Sequence, residues 1–143
     1  MTIVNIIIGS TLFAVIVIMG PLLGNKLKFY DKYFWWDLLI HFLAGIAFIS
    51  FGIAIAQTVE HLNNFHILFF SLTFSMFLHT LWEIGEYLVD KLLGTNHQRW
   101  QEKSASGKQD GVQPDGLVDT MHDSIACLAG ALVACACWWF ILP

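Results

Sequence analysis

Glu83, Glu86, Asp119 and Asp123 each lie within or at the edge of an apolar stretch of the chain, where a carboxylate is costly and marks a working site by default. Three histidines, His41, His79 and His122, share those stretches. His79, Glu83, Glu86 and Asp90 are offset by 0, 4, 7 and 11 residues. On a helix of about 100° per residue these offsets project to roughly 0°, 40°, −20° and 20°, one narrow stripe. Ser75 extends it by a turn. Asp37 and His41 are four apart and share a face in the same way, and Asp119, His122 and Asp123 share a face of a further segment. Carboxylate with imidazole is a donor set for Mn, Fe or Zn, and carboxylate alone for Mg or Ca. The expected cofactor is therefore a divalent metal ion held by His41, Glu83, Glu86, Asp119 and Asp123. His79 and His122 are then candidates for general acid–base work. Arg99, in a loop rich in Gly, Ser and Gln, is a candidate contact for a substrate phosphate.

Buried acids and histidines can instead bond one another and tie helices together. Charge argues against that for the whole set. Glu83, Glu86, Asp119 and Asp123 would meet with no Lys or Arg inside a span except Lys91, at the last turn of the third stretch, so protons or cations must neutralise them.

The elements that must position these groups are four apolar stretches, roughly 3–23, 38–57, 65–93 and 117–141. Each is long enough to cross about 30 Å of hydrocarbon at 1.5 Å per residue. The expected fold is all-α, an integral membrane four-helix bundle forming a single membrane domain over 1–143, with a loop at 94–116. That loop has the length of a lid. The third stretch, 29 residues from Phe65 to Leu93, exceeds a simple span, so its last turns must tilt or emerge; Gly94 is the expected C-cap. Asp115 or Asp119 is expected near the start of the fourth helix, where a carboxylate suits the helix dipole. Helix two starts where helix three ends and helix four starts, so the three polar groups converge at one depth on one side whichever way the protein is inserted.

All seven basic residues lie in 24–37 or 91–116. The positive-inside rule places those connections in the cytoplasm and both termini outside, in a multi-pass protein of the cell membrane. Tyr30, Tyr33, Trp35 and Trp36 read as an aromatic belt before helix two, and Trp138 and Trp139 as its counterpart at the far end of helix four. Residues 1–23 lack Lys and Arg, and no A-x-A-like site precedes Lys26, so the segment reads as a retained helix rather than a signal peptide.

Composition agrees. The hydrophobic fraction is 57% and only 13% of residues are charged, against about 45–50% and about 25% in soluble domains. Mean hydropathy is +0.64. A net charge of −4 gives no reason to expect nucleic acid. Cys127, Cys135 and Cys137 sit in one apolar segment without CxxC spacing and read as buried thiols.

Three pieces, Trp36-Asp37-Leu38-Leu39-Ile40-His41-Phe42-Leu43-Ala44-Gly45, Leu81-Trp82-Glu83-Ile84-Gly85-Glu86-Tyr87, and Asp119-Thr120-Met121-His122-Asp123 followed by Gly130, resemble the YjdF-like family of small bacterial membrane proteins. The order His-x-x-x-Gly, Glu-x-x-Glu, Asp-x-x-x-Asp is also similar to the broader VanZ-like group. The resemblance covers residues 36–130 with gaps. What it implies is a membrane enzyme acting on lipid head groups, phosphatidylserine synthases being among that group. VanZ-like chains carry Gln and Arg near the second Glu, whereas Tyr87 follows Glu86 here, so the details of mechanism do not carry over.

The resulting expectation is a metal-dependent enzyme acting on a lipid-linked phosphate ester at the cytoplasmic interface, by hydrolysis or head-group transfer. Membrane lipid is its partner, with a homo-oligomer or a membrane-protein partner left open. One alternative is a di-iron redox protein, since Glu83-x-x-Glu86 and Asp119-x-x-His122 are similar to di-iron motifs. Such centres draw ligands from four helices, and helix one offers only Asn5, Ser10 and Thr11. The other alternative is a non-enzymatic ion or proton carrier or assembly subunit. Transporters place their sites near the midplane, and this cluster is off-centre.

Overall fold

Inside hydrocarbon a backbone must satisfy its own N–H and C=O groups, and long apolar runs do so as helices. The computed structural model describes residues 2–27, 29, 33, 35–59, 61–94 and 115–142, with the side chains of Pro21, Asn25, Asp115 and Gly116 outside that description. Among the described residues the regular structure is helical throughout: α1 (Thr2–Met19), a π-helical segment (Gly20–Lys26), α2 (Trp35–Ala56), α3 (Asn64–Leu93) and α4 (Asp115–Ile141). The protein is an all-α bundle whose four helices are each long and apolar enough to cross a membrane. Thirty residues make α3 about 45 Å long at 1.5 Å each, well beyond the hydrocarbon thickness of about 30 Å.

α1 changes pitch where Pro21 enters the sequence. Proline has no N–H to return to the preceding turn, and the helix continues in the wider π form from Gly20. α3 is capped at both ends. The Asn63 side chain accepts a hydrogen bond from the His66 backbone N–H at 3.0 Å, and Gly94 takes a left-handed conformation (φ 67°) and returns its N–H to the Asp90 carbonyl. A left-handed C′ residue is the ordinary seat of glycine.

α2 is the hub. It packs against α1, α3 and α4, and its span is the most buried of the four. Small residues set the approach distances, as in membrane helices generally. A Cβ added at Gly45 would strike the Cys127 carbonyl oxygen, and one at Gly130 would strike that of Phe42; these two glycines bring α2 and α4 into near backbone contact. Gly52 does the same between α2 and α3, where an added Cβ would lie 2.7 Å from Ser71 Cα. Two apolar clusters fill the interior. Ile49, Ile53, Ala131, Ala134 and Trp138 belong to one, and Ile16, Trp36, Ile40, Ala44, Phe48 and Cys127 to the other. At the end of the bundle remote from the polar cluster, Gln57 accepts hydrogen bonds from Asn5 Nδ2 at 3.2 Å and Thr2 Oγ1 at 3.4 Å.

The aromatic residues divide differently from the belt reading. Trp35 and Trp139 are exposed, whereas Trp36 and Trp138 are core residues. Trp36 stacks edge-on against Phe29 with ring centroids 5.2 Å apart. α2 begins at Trp35, so the two adjacent residues are turned about 100° from each other; Trp36 faces the interior and Trp35 the outside, with their rings still meeting edge-on at 6.2 Å. Tyr30 lies outside the described residues.

Candidate metal centre

The cluster sits where α2 starts, α3 ends and α4 starts. His41 is at its middle. Its Nδ1 faces Glu83 Oε1 at 3.8 Å, and its Nε2 faces both Asp37 Oδ1 and Asp123 Oδ2 at 3.7 Å. Glu83 Oε1 also stands 3.6 Å from His79 Nε2. The two imidazoles are nearly perpendicular, 82° with centroids 5.3 Å apart. His79 is 2% exposed, Asp123 3%, His41 5% and Glu83 7%, so four ionisable side chains from three helices are held out of contact with the surroundings.

These spacings carry information. All four N···O separations exceed a good hydrogen bond, about 2.7–3.2 Å. Donors around a tetrahedral ion at about 2.1 Å lie roughly 3.4 Å apart. Two trios, His41–His79–Glu83 and Asp37–His41–Asp123, each offer ligand atoms mutually within 4.8 Å.

Local sequence explains the arrangement. Asp37 and His41 are a helical i, i+4 pair, as are His79 and Glu83, so each pair is aligned by α2 or α3 itself. Asp123 arrives from α4, whose distance from α2 is fixed by the Gly45 and Gly130 contacts. Ser75 donates to the Gly45 carbonyl at 3.4 Å, tying α3 to α2 one turn above His79. Ser124 Oγ lies 3.1 Å from His79 Nε2.

The remaining sequence candidates take peripheral places. Glu86 is half-buried, and its Oε1 accepts the Trp82 indole N–H at 2.7 Å. Asp119 is half-buried; it, Asp37, Glu83 and Glu86 all lie within electrostatic reach of Asp123. His122 is exposed, the residue beside it on α4 being the one turned inward. Asp90, lower on the α3 stripe, is 2% exposed. Arg99, and the loop from residue 95 to 114, lie outside the described residues.

A cavity of about 40 Å³ adjoins the cluster, room for an ion with a water or two at about 10–15 Å³ each. Asp37, His41, His79 and Glu86 form its polar wall, and Phe13, Ile16, Ile40 and Phe48 are among its apolar lining. Sequence reasoning missed four contributors. Ser124 carried no signal beyond its position next to Asp123, and Trp82 only its i, i+4 relation to Glu86. Phe13 and Ile16 carried none, because apolar residues on a membrane helix do not announce which of them face a cavity.

Residues 3–143 match the model of a family described as predicted membrane protein, DUF2238. A protein of Thermotoga maritima described as uncharacterized is 29% identical over 118 residues, 80% of this chain and 53% of that protein. The chain thus spans about half the length of this relative. No solved structure matches it. These matches carry the resemblance as far as a membrane-protein family and do not extend to the VanZ-like group.

Proposed function

The chain belongs to the DUF2238 family of predicted membrane proteins, and from that premise we propose that it is a membrane-embedded enzyme that uses a divalent cation to cleave or transfer a lipid-linked phosphate ester. The observation that carries the reading is His41, an imidazole buried between three helices with carboxylates facing both of its ring nitrogens. Its surroundings hold five carboxylates, Asp37, Glu83, Glu86, Asp119 and Asp123, and the sole Lys or Arg in α2, α3 and α4 is Lys91. A cation relieves that excess of negative charge. The basic-residue asymmetry supports a cytoplasmic cluster, and an α3 longer than the hydrocarbon supports its projection at that end, at the depth of lipid phosphates.

A divalent cation there supplies Lewis acidity toward a phosphoryl oxygen. Glu86 is suited to take the proton of the attacking water or alcohol. It lines the cavity, and Trp82 fixes one of its oxygens. The nucleophile's oxygen bonds to phosphorus, the ester P–O bond breaks, and the departing alkoxide is protonated from Glu86. The di-iron reading is weaker, since among the described residues α1 contributes the apolar Phe13 and Ile16 to the cavity wall.

The test is elemental analysis of purified protein, followed by assay against vesicles of mixed phospholipids with Mg, Mn or Zn. Bound cation in the native protein, and joint loss of cation and lipid turnover in Glu83→Gln, are expected. Native-like protein that binds no cation and converts no lipid refutes the reading. The cluster would then be a network holding α2, α3 and α4 in register.

A further inference from the structure

Two donor trios share one imidazole, and a neutral imidazole has a single lone pair. One nitrogen can ligate while the other carries a proton and donates it. The trios therefore compete for His41, and the geometry on its two sides is unequal.

On the Nδ1 side stand one imidazole, His79, and one carboxylate oxygen, Glu83 Oε1, which faces both histidines at 3.8 and 3.6 Å. His79 and Glu83 are one turn apart on α3, so their relative placement does not depend on how the helices pack. Two histidines and one glutamate are a set that leaves coordination positions open for water or substrate, as catalytic centres require. All three residues are buried, and both histidines line the cavity. On the Nε2 side two carboxylates, Asp37 and Asp123, converge on one nitrogen at the same 3.7 Å. Both separations are longer than a hydrogen bond, but the two oxygens are disposed as acceptors about one ring nitrogen, and ligating histidines usually donate their second N–H to a carboxylate.

Building on the proposed function, we infer that the cation is seated on the Nδ1 side of His41 alone, by His41, His79 and Glu83, and that Asp37 and Asp123 are positioning residues that orient the ring from behind. Two consequences follow for the expectations drawn from sequence. His79 is a ligand rather than a general base. Asp123 is a support rather than a ligand.

The experiment titrates Co(II) into the purified, chelator-stripped full-length protein and reads metal stoichiometry together with the visible absorption of the bound ion. One Co(II) per chain is expected in the native protein. Glu83→Gln and His79→Ala abolish its binding. Asp123→Asn and Asp37→Asn keep one equivalent with an unchanged absorption spectrum, but bind about 10- to 100-fold more weakly, the usual cost of losing an outer partner of a ligating histidine. Because the Asn variants retain a spectrum, they report on the seat even if a ligand variant fails to fold. Loss of Co(II) in Asp123→Asn with retention in Glu83→Gln places the ion on the other side and overturns the inference. So does binding of two equivalents in the native protein with one lost in each variant, since both seats would then fill. Both results leave the cation reading standing, whereas folded native protein that takes up no metal overturns that reading as well.

Discussion

Trp82 separates the roles of Glu86 and Glu83. Its indole N–H holds Glu86 Oε1 at 2.7 Å, and a hydrogen bond to a charged group is worth about 1.5–3 kcal/mol. Trp82→Phe should therefore leave metal content unchanged and lower kcat roughly 10- to 100-fold; a fall in metal content instead would make Glu86 a ligand. His122→Ala should alter turnover little, since the side chain is exposed, and a large loss measured with the same lipids would restore it to the acid–base role its sequence position suggested. The contrast between His122 and Asp123 marks the limit of legibility at this scale. A helical face drawn from sequence is about 100° wide, and adjacent positions near its edge resolve into inside and outside only when the neighbouring helix is in place. The His79, Glu83 pair was legible because i, i+4 spacing fixes it locally. The contact of Ser124 with His79 spans two helices and was not.

Between elements, contact distance is set by glycine. Gly45 and Gly130 lie against carbonyl oxygens of the opposite helix, while Gly85 has no neighbouring atom within 4 Å of where a Cβ would stand. Gly45→Ala and Gly130→Ala should each lower stability by about 1–3 kcal/mol, the cost of overpacking, read as Tm in detergent. Gly85→Ala should raise it by up to about 1 kcal/mol, the difference in helix propensity. Equal shifts at all three positions would remove the close α2–α4 crossing from the account. These glycines stood in the sequence motifs, but their purpose did not: a helical glycine reads the same whether it admits a backbone or faces lipid. The α3 stripe, its Gly94 cap and the apolar runs were legible since each rests on periodicity or local conformation. The π-helical segment after α1 was not, although Pro21 gives its physical cause.

For the whole molecule, composition and four apolar runs were enough to specify an all-α membrane bundle, while the central place of α2 was invisible because three of the four spans carry polar groups on an otherwise apolar surface and nothing in that pattern ranks one above the others. The orientation prediction belongs here. In a variant lacking the native cysteines, Asn63→Cys and Ser104→Cys should label from opposite sides of the membrane, with Ser104 cytoplasmic; labelling from one side would overturn the topology. The hub position of α2 also bears on how the protein is made. α3 is the least apolar of the four spans, and on insertion scales a charged residue at a helix centre costs about 2.5–3.5 kcal/mol. Entering the bilayer alone, it would expose His79, Glu83 and Glu86 to lipid. α2 leaves the ribosome first, separated from α3 by a short turn, and offers His41 and the Gly52 groove as a docking face. The two spans should therefore partition into the membrane as a hairpin. In a glycosylation-reporter assay, α3 by itself should integrate poorly and the α2–α3 pair efficiently, with Gly52→Leu undoing the gain, so that the burial which shapes the centre in the finished protein also governs its biogenesis.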